Sequence, residues 1–122
     1  MNIGLTYTST AIVDKTNTAL TLGSGDMEVL ATPAMVALME NAAMNAVASH
    51  LEDGQSTVGS QITTSHLAPS FLGATVTATA TLTAVEGRKL TFSVEAHDGE
   101  TLIGSGTHTR YIVSRERFLS KR

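Results

Sequence analysis

Apolar and polar positions alternate most cleanly in "ATVTATATLTAV", residues 74–85. Val76, Ala78, Ala80 and Leu82 fall on one face and Thr75, Thr77, Thr79 and Thr81 on the other, the period-two pattern of a half-buried strand. "KLTFSVEAH" (89–97) repeats it, with Leu90, Phe92, Val94 and Ala96 in register. Asp98-Gly99 then predicts a tight hairpin into "ETLIGSGTHTRYIV" (100–113). Upstream, "STVGSQITTSH" (56–66) reads as another strand, closed by the break "APSFLG" (68–73). "LTYTSTAIV" (5–13), rich in threonine and β-branched residues, reads as the first strand.

The period changes over residues 32–51, "TPAMVALMENAAMNAVASHL". Met35, Met39, Ala43, Ala46 and Val47 point one way, and Ala34, Leu38 and Ala42 cover much of the rest, which predicts one helix. Thr32 suits the N-cap, Pro33 the first helical position and Gly54 the stop. Such a helix is about 30 Å long. Being apolar nearly all round, it requires burial. The prediction is an α+β fold: one strand, one long helix, then four strands in meander-like order, the curved antiparallel sheet wrapping the helix. One sheet does not cover every side of it. Loops or a second subunit complete the burial, which predicts an oligomer, at least a dimer. Residues 14–30, with "LGSGDME", read as a loop or lid.

A single charged side chain, Glu40, stands between Glu28 and Glu52. A carboxylate in an apolar setting shifts its pKa upward or finds a partner. One reading is structural: a wet helix edge, or an ion pair with Arg110. The sharper one is a catalytic carboxylate in a water-poor cleft. Candidates to meet it are His66 at the end of "TTSH", Thr32 at the helix start, and Gly59 within a strand, where glycine marks close approach. Each also has a plain reading: a strand-end histidine, an N-cap, a bulge. Thr32 and Glu40 are about 12 Å apart along a straight helix, so they do not touch directly. Either Thr32 sits on the entering loop, or His66 lies between them, or one residue comes from a second subunit.

Composition narrows the classes. The chain has 122 residues, which fits one domain over 1–122. It contains no cysteine, and its formal net charge is −3. Disulfides, cysteine metal sites and a global basic field for nucleic acid are thereby excluded. The N-terminus "MNIGLTYTST" has neither the basic nor the apolar region of a signal peptide. Residues 31–50 are too polar for a membrane span. A cytoplasmic protein is the expectation. His50, His97 and His108 show no metal-ligand spacing, and no metal is expected. Phosphate-loop, dinucleotide and nucleophile-elbow motifs are missing. Arg115, Arg117, Lys121 and Arg122 crowd the last eight positions, and Arg88-Lys89 sits at a hairpin. These read as a solvated tail and turn, or as partners for the phosphates of an anionic ligand.

"ATPAMVALMENAA" and "GSQITTSHLAPSFLGATVTATATLTAVEGRKLTFSVEAHDGETLIGSGTHTR" resemble the hot-dog thioesterases, with the strongest likeness to the fluoroacetyl-CoA thioesterase family. The likeness runs over roughly residues 29–118. It implies a hot-dog fold, a homodimer or tetramer in which two sheets join, and hydrolysis of an acyl-CoA thioester to acid and CoA without a cofactor. It implies that Thr32, Glu40 and His66 are catalytic. Glu40 would attack directly or activate water, His66 would move the proton, and Thr32 would hold the water or acyl group. Gly59 and Arg110 would bind substrate or orient Glu40. The family's phenylalanines ahead of the helix are absent from "LGSGDMEVL", which points away from fluoroacetyl selectivity and toward short- or medium-chain acyl groups. A hydratase of this fold would carry D-x4-H, which is not found. A non-catalytic acyl-CoA-binding module of the same fold is the alternative.

Overall fold

The structure is a computed structural model and describes residues 1–121. Arg122, the end of the basic tail, lies outside the described residues. The element order is β1 (Thr6–Ile12), α1 (Ala19–Leu22), α2 (Thr32–Ala48), β2 (Gln55–His66), β3 (Thr75–Glu86), β4 (Lys89–Asp98), β5 (Thr101–Ser114) and α3 (Arg115–Leu119).

The alternating segments form the sheet's middle. Val76, Ala78, Ala80 and Leu82 of β3 and Leu90, Phe92, Val94 and Ala96 of β4 are all buried. They pack on the face of α2 that carries Met35, Met39, Ala42, Ala43, Ala46 and Val47. The five strands are antiparallel in the order β1-β3-β4-β5-β2. Only β3–β4–β5 is therefore a meander. β2 crosses to the far edge and pairs with β5, whereas β1 pairs with β3. α2 contacts β1 and β3 far more than β2, so the β2 side of the helix is the less covered side.

α2 departs from expectation at both ends. Ala31 is the N-cap, in extended conformation and with no side-chain bond; Thr32 is already the first helical residue. The Thr32 hydroxyl is thereby free for another partner. The helix ends at Ala48, three residues short of the expected Leu51, with Ser49 as C-cap. Its outer face, with Ala37, Met44 and Ala48, is exposed. Two short helices were hidden in the polar segments. α1 is capped by the Thr18 hydroxyl and stopped by Gly23 in the left-handed region. α3 is capped by Ser114. Among the described residues no helix is long and apolar enough to cross a membrane.

Candidate active site

Two backbone contacts bring the start of α2 to the end of β2. The Leu30 N–H donates to the Ser70 carbonyl at 2.9 Å, and Val29 bridges to Phe71. The chain entering the helix is thus clipped to the chain leaving the strand. Thr32 and His66 meet there, with Oγ1 and Nδ1 2.7 Å apart. They line a cleft of about 320 Å³ together with Ala19, Ser24, Leu30 and Ala68. Burial pushes the His66 imidazole below its ordinary value, and the Ala68 backbone partly opposes this. The ring's Nε2 is shielded from solvent and has no hydrogen-bond partner among the described residues. A neutral imidazole with an unengaged nitrogen is suited to accept or hand on a proton.

Glu40 lies elsewhere. An alanine Cβ at Gly59 would stand 3.0 Å from Glu40 Oε2, 3.1 Å from His108 Cε1 and 3.3 Å from Arg110 Nη1. Those three side chains therefore converge over a strand position that has no side chain of its own. Gly59 pairs with Arg110 across β2 and β5, and a bulge follows between Gly59 and Gln61. Arg110 is 6 % exposed. Its Nε donates to Thr57 Oγ1 and its Nη2 to the Thr57 carbonyl, both at 2.9 Å. Its Nη1 lies 3.2 Å from His108 Nε2. His108 Nδ1 is 2.8 Å from the Gln61 carbonyl, which only accepts, so Nδ1 carries the proton and Nε2 accepts from Arg110. Burial lowers the affinity of His108 and Arg110 for their protons, and the Glu40 carboxylate opposes this at both. Glu40 is half-buried and faces a cation held from three other directions.

Of the residues singled out from the sequence, Thr32 is hydrogen-bonded to His66, whereas Glu40 stands near Gly59 and Arg110 without forming the direct ion pair with Arg110 that the sequence allowed. Within one chain the two groups are separated by the roughly 12 Å of helix between Thr32 and Glu40. Of the three arrangements left open by the sequence, the loop placement of Thr32 is ruled out, since it is helical. His66 does sit against Thr32, yet Glu40 turns to Gly59. Sequence reasoning passed over His108 and Thr57. The signal was present: His108 and Arg110 are two apart on β5, hence on one face, and Thr57 and Gly59 are likewise two apart on β2.

A third feature is apolar. A cavity of about 450 Å³ opens between α2, β1 and α1, with Ala11, Leu22, Leu30, Pro33, Leu38 and Ile103 on its walls. Leu30 borders both this cavity and the Thr32–His66 cleft. No group of three or more metal-capable side chains gathers among the described residues.

A curved sheet folded about one long helix is the hot-dog architecture, and the solved structures that share it include thioesterases. A Thermus thermophilus protein described as a thioesterase superfamily member superposes with a TM-score of 0.90 at 27 % identity, over 98 % of this chain and 89 % of that one. The chain belongs to the fluoroacetyl-CoA-specific thioesterase (FlK) family, whose pattern its residues 13–116 match. The fluoroacetyl-CoA thioesterase of Streptantibioticus cattleyicolor is 49 % identical over 94 residues, 77 % of this chain and 68 % of that protein. A mutant of FlK in complex with fluoroacetate and CoA superposes with a TM-score of 0.90 at 41 % identity, over 97 % of this chain and 99 % of that one.

Proposed function

We propose that the chain hydrolyses an acyl-CoA thioester to a carboxylic acid and free CoA. The observation that carries the reading is the Thr32–His66 pair at a cleft beside an apolar cavity. The cavity suits the acyl group, and the positive end of α2 faces the polar centre. The carbonyl oxygen gains negative charge on attack. A backbone N–H at the helix opening or at Gly59 is the donor suited to stabilise it.

Glu40 supplies the attack in one of two ways. It takes a proton from water as hydroxide adds to the carbonyl, or its own oxygen adds and leaves an anhydride for water to open. Collapse of the tetrahedral intermediate breaks the C–S bond. The thiolate leaves with a proton delivered through His66. Thr32 fixes the imidazole by its hydroxyl. Arg110, locked by Thr57 and His108, holds the carboxylate in place.

The two groups meet when Glu40 of one copy faces Thr32 and His66 of a second. A homodimer is therefore part of the proposal, and β2, an edge strand of 12 residues, is the surface that would join two sheets. The segment ahead of α2 contains no phenylalanine to close over a small acyl group. Short- to medium-chain acyl groups are the expected substrates, rather than fluoroacetyl alone.

The test is release of free CoA from a series of acyl-CoA esters of increasing length, read with a thiol reagent. Turnover that ceases with Glu40→Gln supports the reading. Tight binding of acyl-CoA without release overturns it in favour of a binding module.

A further inference from the structure

His108 is 1 % exposed, and its hydrogen bonds reach the proposed reacting groups only through Arg110. Its tautomer is set by the main chain. β2 carries one extra residue, Ser60, between Gly59 and Gln61, where the register against β5 shifts. Just past that bulge the Gln61 carbonyl receives the His108 Nδ1–H at 2.8 Å. The ring of Phe92, its centroid 6.2 Å away, packs beside the imidazole. Nε2 keeps its lone pair, 3.2 Å from Arg110 Nη1. The imidazole therefore accepts a guanidinium N–H only while it is neutral.

A second proton on the ring would reverse that contact. An Nε2–H would face the Nη1–H, donor against donor, and two buried cations would stand side by side. Arg110 faces the ring from its own strand and Glu40 from α2, while β2 presents Thr57, Gly59 and the Gln61 carbonyl and β4 presents Phe92. One carboxylate would then answer to two cations. Their joint attraction favours its ionised form and makes it a weaker base and nucleophile. Burial is the largest influence on the imidazole and pushes it below its ordinary value; Arg110 adds to this, and the Gln61 carbonyl and Glu40 oppose it. The ring is thereby neutral at neutral pH and takes its second proton below 6.5.

On the reading that Glu40 drives thioester cleavage, we propose that His108 is a positioning residue and an acid-side switch of the site. Neutral, it holds the Arg110 guanidinium through Nη1 in the orientation that leaves Glu40 reactive. Protonated at Nε2, it releases Nη1, draws on the same carboxylate and stops turnover. It acts through Arg110 and Glu40 and not on the substrate.

The experiment follows kcat and KM for one acyl-CoA against pH in the wild type, His108→Gln and His108→Leu. The glutamine amide oxygen reaches the Nε2 position and accepts from Arg110 at every pH, whereas leucine accepts nothing. Well above pH 6.5, His108→Leu should fall at least about tenfold below His108→Gln in kcat, with KM little changed. Below 6.5 the ratio of the His108→Gln rate to the wild-type rate should rise, by about tenfold per pH unit once the wild-type ring titrates. In parallel, nitrogen NMR of the labelled wild type should show a neutral His108 protonated at Nδ1, and an Arg110 Nε–H signal that shifts as the ring takes its second proton. A ratio flat with pH, a glutamine variant as slow as the leucine one, or a neutral ring protonated at Nε2 overturns the proposal. Should the leucine variant fail to fold, the glutamine profile and the wild-type spectra decide. A wild type that cleaves no acyl-CoA rejects the thioesterase reading, and the NMR titration then decides the His108–Arg110 switch by itself.

Discussion

Thr32 Oγ1 and His66 Nδ1 lie 2.7 Å apart although 34 residues separate them in the chain. The contact rests on Thr32 being the first residue of α2 rather than its cap. A capping hydroxyl would be turned back onto the helix N–H groups. Here Ala31 takes the cap position without a side-chain bond, and the hydroxyl faces the ring. Thr32→Val removes the bond at nearly constant shape. It should lower kcat by about tenfold or more, whereas Thr32→Ser should retain most of the rate. Steady-state kinetics on one acyl-CoA checks both.

The separation of Glu40 from His66 within one chain predicts complementation. Glu40→Gln and His66→Ala should each lower kcat by at least about 10². Unfolded and refolded together, the two variants would assemble, in the proposed homodimer, into mixed dimers in which one site carries both intact residues. Activity should return to about a quarter of the wild type, since half the dimers are mixed and each has one good site of two. No recovery would place the reaction within a single chain.

Gly59 is required for room rather than for a special backbone angle, since it is not among the positive-φ glycines. In Gly59→Ala, the new methyl would press on Glu40, His108 and Arg110 together. Glu40 is the flexible member, so it is the one expected to move. The variant should keep a melting temperature near that of the wild type and lose at least about tenfold in kcat. A fall in melting temperature with unchanged kcat would show a purely structural role.

Burial holds the His66 and His108 imidazoles below their ordinary value of 6.5. The unfolded chain therefore takes up protons first as the pH falls. Their contribution to stability is fully present above 6.5, declines as the pH drops through that value, and levels off once the folded rings titrate. Urea midpoints measured on either side of pH 6.5 should show the decline. His108→Gln should make it shallower, leaving the part due to His66, because Gln has no proton to take up.

The middle of the fold was legible in the sequence because it is local. Val76 to Leu82 and Leu90 to Ala96 announce their buried faces by alternation, and α2 announces itself by its helical run. The sheet order was not legible, because nothing within β2 says that it leaves its neighbour for the far edge. α1 has four residues and α3 five, too few for a helical period to show. Glu40, His66, Thr32, Gly59 and Arg110 stood out as polar or small residues in unusual company. Their division into two groups depended on which way a long carboxylate turns, and no spacing encodes that. His108 was overlooked because a lone strand histidine carries no signal until its neighbours in space are known.

The "GSG" of residues 104–106 has a consequence of a different kind. A Cβ at Gly106 would overlap the Thr63 carbonyl and crowd Thr64 Cα, both backbone, and one at Gly104 would run into Met35. β2 and β5 thus come together at a point where no rotamer change could relieve the conflict. In a saturation library selected for folding alone, position 106 should tolerate no replacement, not even alanine. The close approach of the two strands, Thr63 and Thr64 against Gly106, is fixed by main chain alone.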